Sequence, residues 1–131
     1  MNIKLFFRAL LFSALLPCLL LCGCRKSPAS YVCITAEQAK ELMDTEQNYV
    51  VLDVRTQQEY DLGHIPGAML IPNEVIRERA EDTLKDKDQL ILVYCRSGRR
   101  SKEAAQVLAD LGYTNVKEFG GIIDWPYQTT R

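Results

Sequence analysis

The chain has 131 residues, of which 47% are hydrophobic and 25% charged, with five cysteines and a formal net charge of −1. That length suits one domain rather than two. The near-balance of charge excludes the basic excess of a phosphate-reading surface, and the hydrophobic share excludes both a wholly disordered chain and a many-spanning membrane protein.

The first residues are read separately from the rest. Lys4 and Arg8 stand in a stretch without acids, and Ala9 to Cys22 is then apolar apart from Ser13, with Pro17 in its middle. Fourteen residues are short for a bilayer span, which takes ~20. A basic segment followed by a short apolar one reads as a secretory signal rather than a retained anchor. Its end, Leu21-Cys22-Gly23-Cys24, resembles the lipobox of bacterial lipoproteins, with an aliphatic residue at −3, a small residue at −1 and then the cysteine. The resemblance implies cleavage before Cys24, a diacylglycerol on its sulfur and an acyl group on its new amine. Buried acyl chains add ~0.8 kcal/mol per CH₂, so several together anchor a protein stably at a membrane surface. The alternative is simple cleavage nearby and release into the periplasm.

The expected organisation is therefore a signal over residues 1–23, a lipidated cysteine and linker over 24–33, and one domain over 34–131. Loss of the signal removes two positive charges and no negative ones, which takes the net charge from −1 to −3. Cys18 and Cys22 leave with it, and Cys33 and Cys95 remain as thiols. Two cysteines do not make a disulfide-dense scaffold. In an oxidising compartment a Cys33–Cys95 bridge must still be considered.

Thr35-Ala-Glu-Gln38 has the form of a capping box. Ala36, Ala39, Leu42 and Met43 follow at helical spacing, which predicts a helix from Ala36 to about Thr45. Tyr49–Asp53 is a short apolar run rich in β-branched residues and reads as a strand buried on both faces. Gln57–Leu62 reads as a brief helical turn ended by Gly63, and Ala68–Ile71 as a second buried strand. Asn73 is placed to cap a helix running to about Leu84. Leu90–Tyr94 is the third strand, Ser101–Leu111 an amphipathic helix capped by Gly112, and Val116–Phe119 a last short strand. Gly120-Gly121 opens a final helix containing Ile122, Ile123 and Trp125. Continuously apolar strands alternating with amphipathic helices predict an α/β fold, a parallel sheet covered by helices on both faces.

The chemistry concentrates in Cys95-Arg96-Ser97-Gly98-Arg99-Arg100-Ser101, between the third strand and a helix. Ligands of open parallel sheets bind beyond the carboxyl ends of the strands. A helix N-terminus adds free N–H groups and partial positive charge. Gly98 permits the backbone to curl around the sulfur, and Arg96, Arg99 and Arg100 raise the local potential. All of this favours thiolate over thiol. The only histidine, His64, is remote in sequence, so a general-base mechanism has little support. An already ionised nucleophile suits an anionic substrate with a good leaving group. In sulfane-sulfur transfer from thiosulfate, the thiolate attacks, sulfite leaves and a persulfide remains on Cys95.

The loop resembles that of single-domain rhodaneses, the thiosulfate sulfurtransferases, whose bacterial members commonly read Cys-x-x-Gly-x-Arg-Ser. Cys95, Gly98, Arg100 and Ser101 match in register. Leu52-Asp53-Val54-Arg55 with Glu59-Tyr60, Gly63 to Ala68, and Gly120-Gly121 with Trp125 match the family's other patterns, so the resemblance runs from about Ile34 to Gln128. It implies a rhodanese-like fold, Cys95 as persulfide carrier, and the loop Arg96, Ser97, Gly98, Arg99, Arg100 and Ser101 as the substrate cradle. Within that loop Arg100 is implied as the side chain that binds thiosulfate. Asp53 and Arg55 are implied to brace the site, with Arg55 pairing Glu59. The acceptor would be cyanide, a thiol or a protein. No metal or organic cofactor is expected, and the expected state is a monomer.

Protein-tyrosine phosphatases also use a cysteine loop ending in arginine, but they place five residues between the two. Here Arg100 follows Cys95 with four between, which suits one sulfur atom better than a phosphate. A non-catalytic binding module is the main rival, and an intact Cys95 loop argues against it. A thiol-redox role with Cys33 as resolving cysteine is weighed against Cys33 as a half-buried strand residue, and the latter is preferred. His64 is read as structural in the Gly63–Ala68 turn, since no ligand cluster surrounds it. Trp125 is read as packing over the core or the loop.

Overall fold

The computed structural model describes residues 28–131. The signal, Cys24 and the start of the linker lie outside the described residues. Strands β1 (Val32–Cys33), β2 (Tyr49–Asp53), β3 (Met69–Leu70), β4 (Leu90–Cys95) and β5 (Val116–Gly121) form one sheet in the order β1-β5-β4-β2-β3. Every pairing is parallel. Helices α1 (Ala36–Thr45), α2 (Gln57–Leu62), α3 (Ile76–Thr83) and α4 (Arg99–Asp110) connect the strands.

Alternation along β4 shows how the sheet divides the core. Ile91, Val93 and Cys95 join a cluster with Ile76 and Ala80 of α3 and Ala104, Ala105 and Leu108 of α4. Leu90, Leu92 and Tyr94 face the other way, toward Ala39 of α1, Phe119 and Trp125. Successive strand side chains point to opposite faces, and both faces here are covered by helices. All six β4 residues are buried as a result. Full burial of each large aliphatic side chain contributes ~1.5–3 kcal/mol.

The Thr35 capping box forms with both of its hydrogen bonds, and Thr56 makes a second one with Glu59 at the start of α2. Several expected bounds shift. The Ala68–Ile71 run pairs only through Met69–Leu70. Asn73 does not cap α3. It begins a 3-10 turn, Asn73–Val75, behind Pro72, and its side chain donates to Glu103 on α4. Gly112 closes α4 as expected: it follows Leu111 with φ of 94°, and its N–H and that of Tyr113 return to the carbonyls of Ala109 and Leu108. The expected final helix is a single 3-10 turn, Ile122–Asp124, because β5 continues through both glycines to Gly121. Trp125 follows the turn and packs between Phe119 and Tyr127, with ring centroids 5.6 and 4.9 Å away.

Among the described residues both cysteines are free thiols, with Cys33 exposed and Cys95 buried. Cys33 is paired against Glu118 of β5, and β5 separates it from the strand that carries Cys95. Two strand spacings are ~9–10 Å. That exceeds the ~7 Å beyond which Cα atoms cannot be bridged without backbone movement. The sheet order therefore overturns a Cys33–Cys95 disulfide, and Cys33 is more exposed than the half-buried strand residue expected.

Candidate active site

Cys95 is the last residue of the central strand, and the chain turns at once into α4. The helix starts at Arg99, two residues earlier than its apolar pattern predicts. The connecting loop is therefore only Arg96, Ser97 and Gly98, and Arg99, Arg100 and Ser101 form the first helical turn. Those first N–H groups have no partner within the helix. The buried Cys95 sulfur sits among them, with Gly98 N–H donating to it at 3.0 Å.

Two glycines allow this closeness. Gly98 caps the helix with φ of 106°, in the left-handed region that side chains with a Cβ rarely adopt. Gly121 lies beneath the loop, and a Cβ there would fall on the carbonyl of Arg96. The expected family pattern included Gly121 without assigning it this role. The strand pairing that brings Gly121 opposite Cys95 also carries an irregularity after Val93. That displacement is the local price of seating the loop on β5.

Burial pushes the Cys95 thiol up. Hydrogen bonds from the Ser101 side chain and from the backbone N–H groups of Ser101, Gly98 and Ser97 outweigh this, and the thiol lies below the ordinary range. Peptide dipoles and one hydroxyl thus do most of what the three arginines were expected to do. Arg99 is largely exposed and pairs with Glu103. Arg100 feels the Cys95 charge but makes a two-pronged pair with Glu59, both contacts at 2.8 Å. The Arg100 hydrogen bond holds the Glu59 carboxyl down at about 2. Arg96 is exposed and lines a cleft of about 410 Å³ with Arg55 and Glu59, rimmed by the exposed Leu62 and Ile123.

The expected Arg55–Glu59 pair is not formed. Arg55 instead grips Asp53, two residues back, through Nε and a terminal nitrogen at 2.7–3.1 Å, and reaches the Gly63 carbonyl at 2.7 Å. Asp53 also accepts from the Arg55 backbone N–H and from the Tyr94 hydroxyl at 2.7 Å. Strand pairing sets Asp53 directly beside Tyr94, which leaves the shorter-range partner for Arg55 already in place. Burial, then the bond to Asp53, push the Tyr94 hydroxyl well above its ordinary value. Asp53 and Arg55 are thus joined in a buried network with Tyr94, the residue before Cys95. His64 stacks flat on Tyr60 at 3.7 Å and bridges the backbone of Thr130, in keeping with a structural reading.

Glu118 was not singled out in the sequence. It is 2% exposed, and its Oε1 lies 2.6 Å from Ser101 Oγ. The signal was present, since an acid two residues after Val116 in a strand shares its buried face.

The site is a thiol with stabilised negative charge, held at a helix N-terminus inside a tight loop. Comparison with known proteins gives the family. The rhodanese-like domain family matches residues 35–126. The chain is 38% identical over 73 residues to the thiosulfate sulfurtransferase PspE of Escherichia coli, covering 56% of this chain and 70% of that one. It is 40% identical over 88 residues to a sulfurtransferase of Allochromatium vinosum, covering 66% and 79%. The crystal structure of the Alr3790 protein from Anabaena superposes with a TM-score of 0.68 at 31% identity, covering 74% of this chain and 90% of that one. This chain belongs to the rhodanese-like family of sulfurtransferases, and its parallel sheet flanked by helices is the α/β fold of that family.

Proposed function

We propose that the protein moves a sulfane sulfur from thiosulfate through a persulfide on Cys95 to a nucleophilic acceptor. The supporting observation is the cradle: a buried sulfur under the Gly98 N–H, with its thiol held below the ordinary range. The thiolate attacks the outer sulfur of thiosulfate, the S–S bond breaks and sulfite departs with its electron pair. The terminal sulfur of the persulfide then carries the negative charge, and the N–H groups of the loop and first helical turn offer it hydrogen bonds. An acceptor nucleophile takes that sulfur and regenerates the thiolate. Cyanide serves as the assay acceptor, and a thiol or a protein as the natural one. Intact mass of the reduced full chain after thiosulfate treatment tests this. The expected result is a gain of one sulfur atom that cyanide removes. No gain on a folded chain would favour a binding or thiol-redox role instead.

Arg100 is assigned to the thiosulfate oxygens. Its pair with Glu59 fixes the guanidinium beside the loop while leaving donors to spare. Arg100→Ala is expected to raise the apparent KM for thiosulfate about tenfold, the equivalent of one charge-assisted hydrogen bond. An unchanged KM would remove Arg100 from this role.

Export and lipid anchoring at Cys24 complete the reading, supported by the signal-like segment and the Leu21–Cys24 pattern. The domain would then work at a bacterial membrane surface, in the periplasm, as a monomer. Cys24→Ala is expected to move the protein from the membrane to the soluble fraction, and a variant that stays with the membrane would exclude this anchor.

A further inference from the structure

The sulfur-transfer steps leave one buried carboxylate without a task. Glu118 lies on β5 on the face that packs against α4, where alternation with Val116 calls for an apolar side chain. Its Oε1 accepts from Gly120 N–H at 2.8 Å and lies 2.6 Å from Ser101 Oγ. Ser101 Oγ is in turn 3.4 Å from Cys95 Sγ. The carbonyls of Gly98 and Gly120 are 3.1 and 3.3 Å from the same hydroxyl. A serine hydroxyl has one proton to donate. It cannot serve a thiolate on one side and a carboxylate on the other at the same time.

We propose that Cys95 and Glu118 hold one proton between them, passed through Ser101, so that Glu118 is a positioning residue that governs when Cys95 is a thiolate. In one state the Cys95 S–H donates to Ser101 Oγ, and the Ser101 O–H donates to the Glu118 carboxylate. In the other, the S–H bond has broken and its proton is on Ser101 Oγ. The former Ser101 proton has formed an O–H bond on Glu118, which donates it back to Ser101. Ser101 then donates to the thiolate. The site carries one negative charge in both states, so no proton need cross to solvent. Burial favours this exchange over ionisation of both groups, because two buried like charges repel strongly where the dielectric is low.

Other charged and titratable groups face the pair. Cys33 of β1 is paired in register with Glu118, and its thiol is pushed up by partial desolvation and then by the Glu118 charge. Tyr31, just before β1, also feels the Glu118 charge, the Lys102 charge on α4 acts on Tyr31 and Cys33 in the opposite sense, and Arg100 feels Cys95. Gly120 N–H keeps Oε1 in place whichever state holds.

This inference rests on Cys95 as the reacting thiol, but its test needs no sulfur donor. The rate of iodoacetamide alkylation at Cys95 is measured against pH on the full chain carrying Cys33→Ala. That background removes the other thiol among the described residues, which faces Glu118, and mass spectrometry of the Cys95 peptide isolates the signal. Two strongly coupled groups lose their protons in two macroscopic steps. The expected profile rises, levels severalfold below its high-pH limit, and rises again. Glu118→Gln and Glu118→Leu are each expected to leave a single rise. Circular dichroism over the same pH range separates titration from unfolding, and either folded variant is sufficient. A single rise in the unsubstituted protein, or two rises in a Glu118 variant, overturns the proposal. Failure of thiosulfate to load sulfur would sink the functional reading while leaving this profile as it stands.

Discussion

Cys95→Ser is expected to abolish both the sulfur gained from thiosulfate and the turnover to cyanide, by about three orders of magnitude or more. Serine keeps the shape of the side chain and its place under the Gly98 N–H. It does not keep the chemistry, because a hydroxyl is not ionised by amide dipoles that suffice for a thiol. Nothing else in the loop can take over. Ser97 and Ser101 face the same limit, and the Ser101 hydroxyl lies against the Glu118 carboxylate at 2.6 Å. The domain should remain folded, since one atom changes at the end of a strand whose other residues stay packed. Far-ultraviolet circular dichroism checks the fold, and intact mass with a cyanide assay checks the chemistry. Turnover within tenfold of the unsubstituted protein would move the reaction away from this loop.

Asp53→Asn is expected to be the most damaging single change to stability. Asp53 is fully buried and its carboxylate accepts from the Arg55 backbone N–H, the Arg55 guanidinium and the Tyr94 hydroxyl. Asparagine is nearly the same size, so no cavity forms. It removes the charge and replaces one acceptor with a donor, which leaves the Arg55 guanidinium buried without its counter-charge. Breaking one side of a buried ion pair costs about 3–5 kcal/mol. For a domain of this size that lowers Tm by roughly 15–25 °C. Tyr94→Phe removes two hydrogen bonds, the one its hydroxyl donates to Asp53 and the one it accepts from Ile65 N–H, and should cost only about 2 kcal/mol. Thermal unfolding of the two variants side by side makes the comparison. An Asp53→Asn variant melting within a few degrees of the parent would show that the pair carries no net stability. The functional consequence follows from position. Tyr94 precedes Cys95, and Arg55 ties β2 to Gly63 at the rim of the cleft, so loosening Asp53 disturbs the floor and one wall of the site together.

The contrast between these two residues shows how much was readable in advance. Cys95 announced itself: a cysteine at the end of an apolar strand, followed by glycine, arginines and a helix, needs no partner from elsewhere in the chain to be recognised. The Asp53–Arg55 pairing was misassigned because sequence offers Arg55 two acids at short range, Asp53 and Glu59. The choice depends on β4. Strand pairing brings the Tyr94 hydroxyl to Asp53 and completes a buried network there, and α4 brings Arg100 to Glu59.

Periodicity and capping residues, which are local, determined the bounds of α1, β2 and α2 and the order of the remaining elements, since each arises from neighbours a few positions apart. The sequence alone also singled out the Cys95 sulfur, at the end of a strand and the start of a helix. The tertiary structure decided what surrounds that atom. It started α4 two residues early, seated the loop on Gly121 and turned Arg100 toward Glu59. It kept Cys33 a full strand away from Cys95 and set Glu118 behind Ser101. Each of these is a contact between residues far apart in the chain, and its energy depends on distances that only the packed sheet defines.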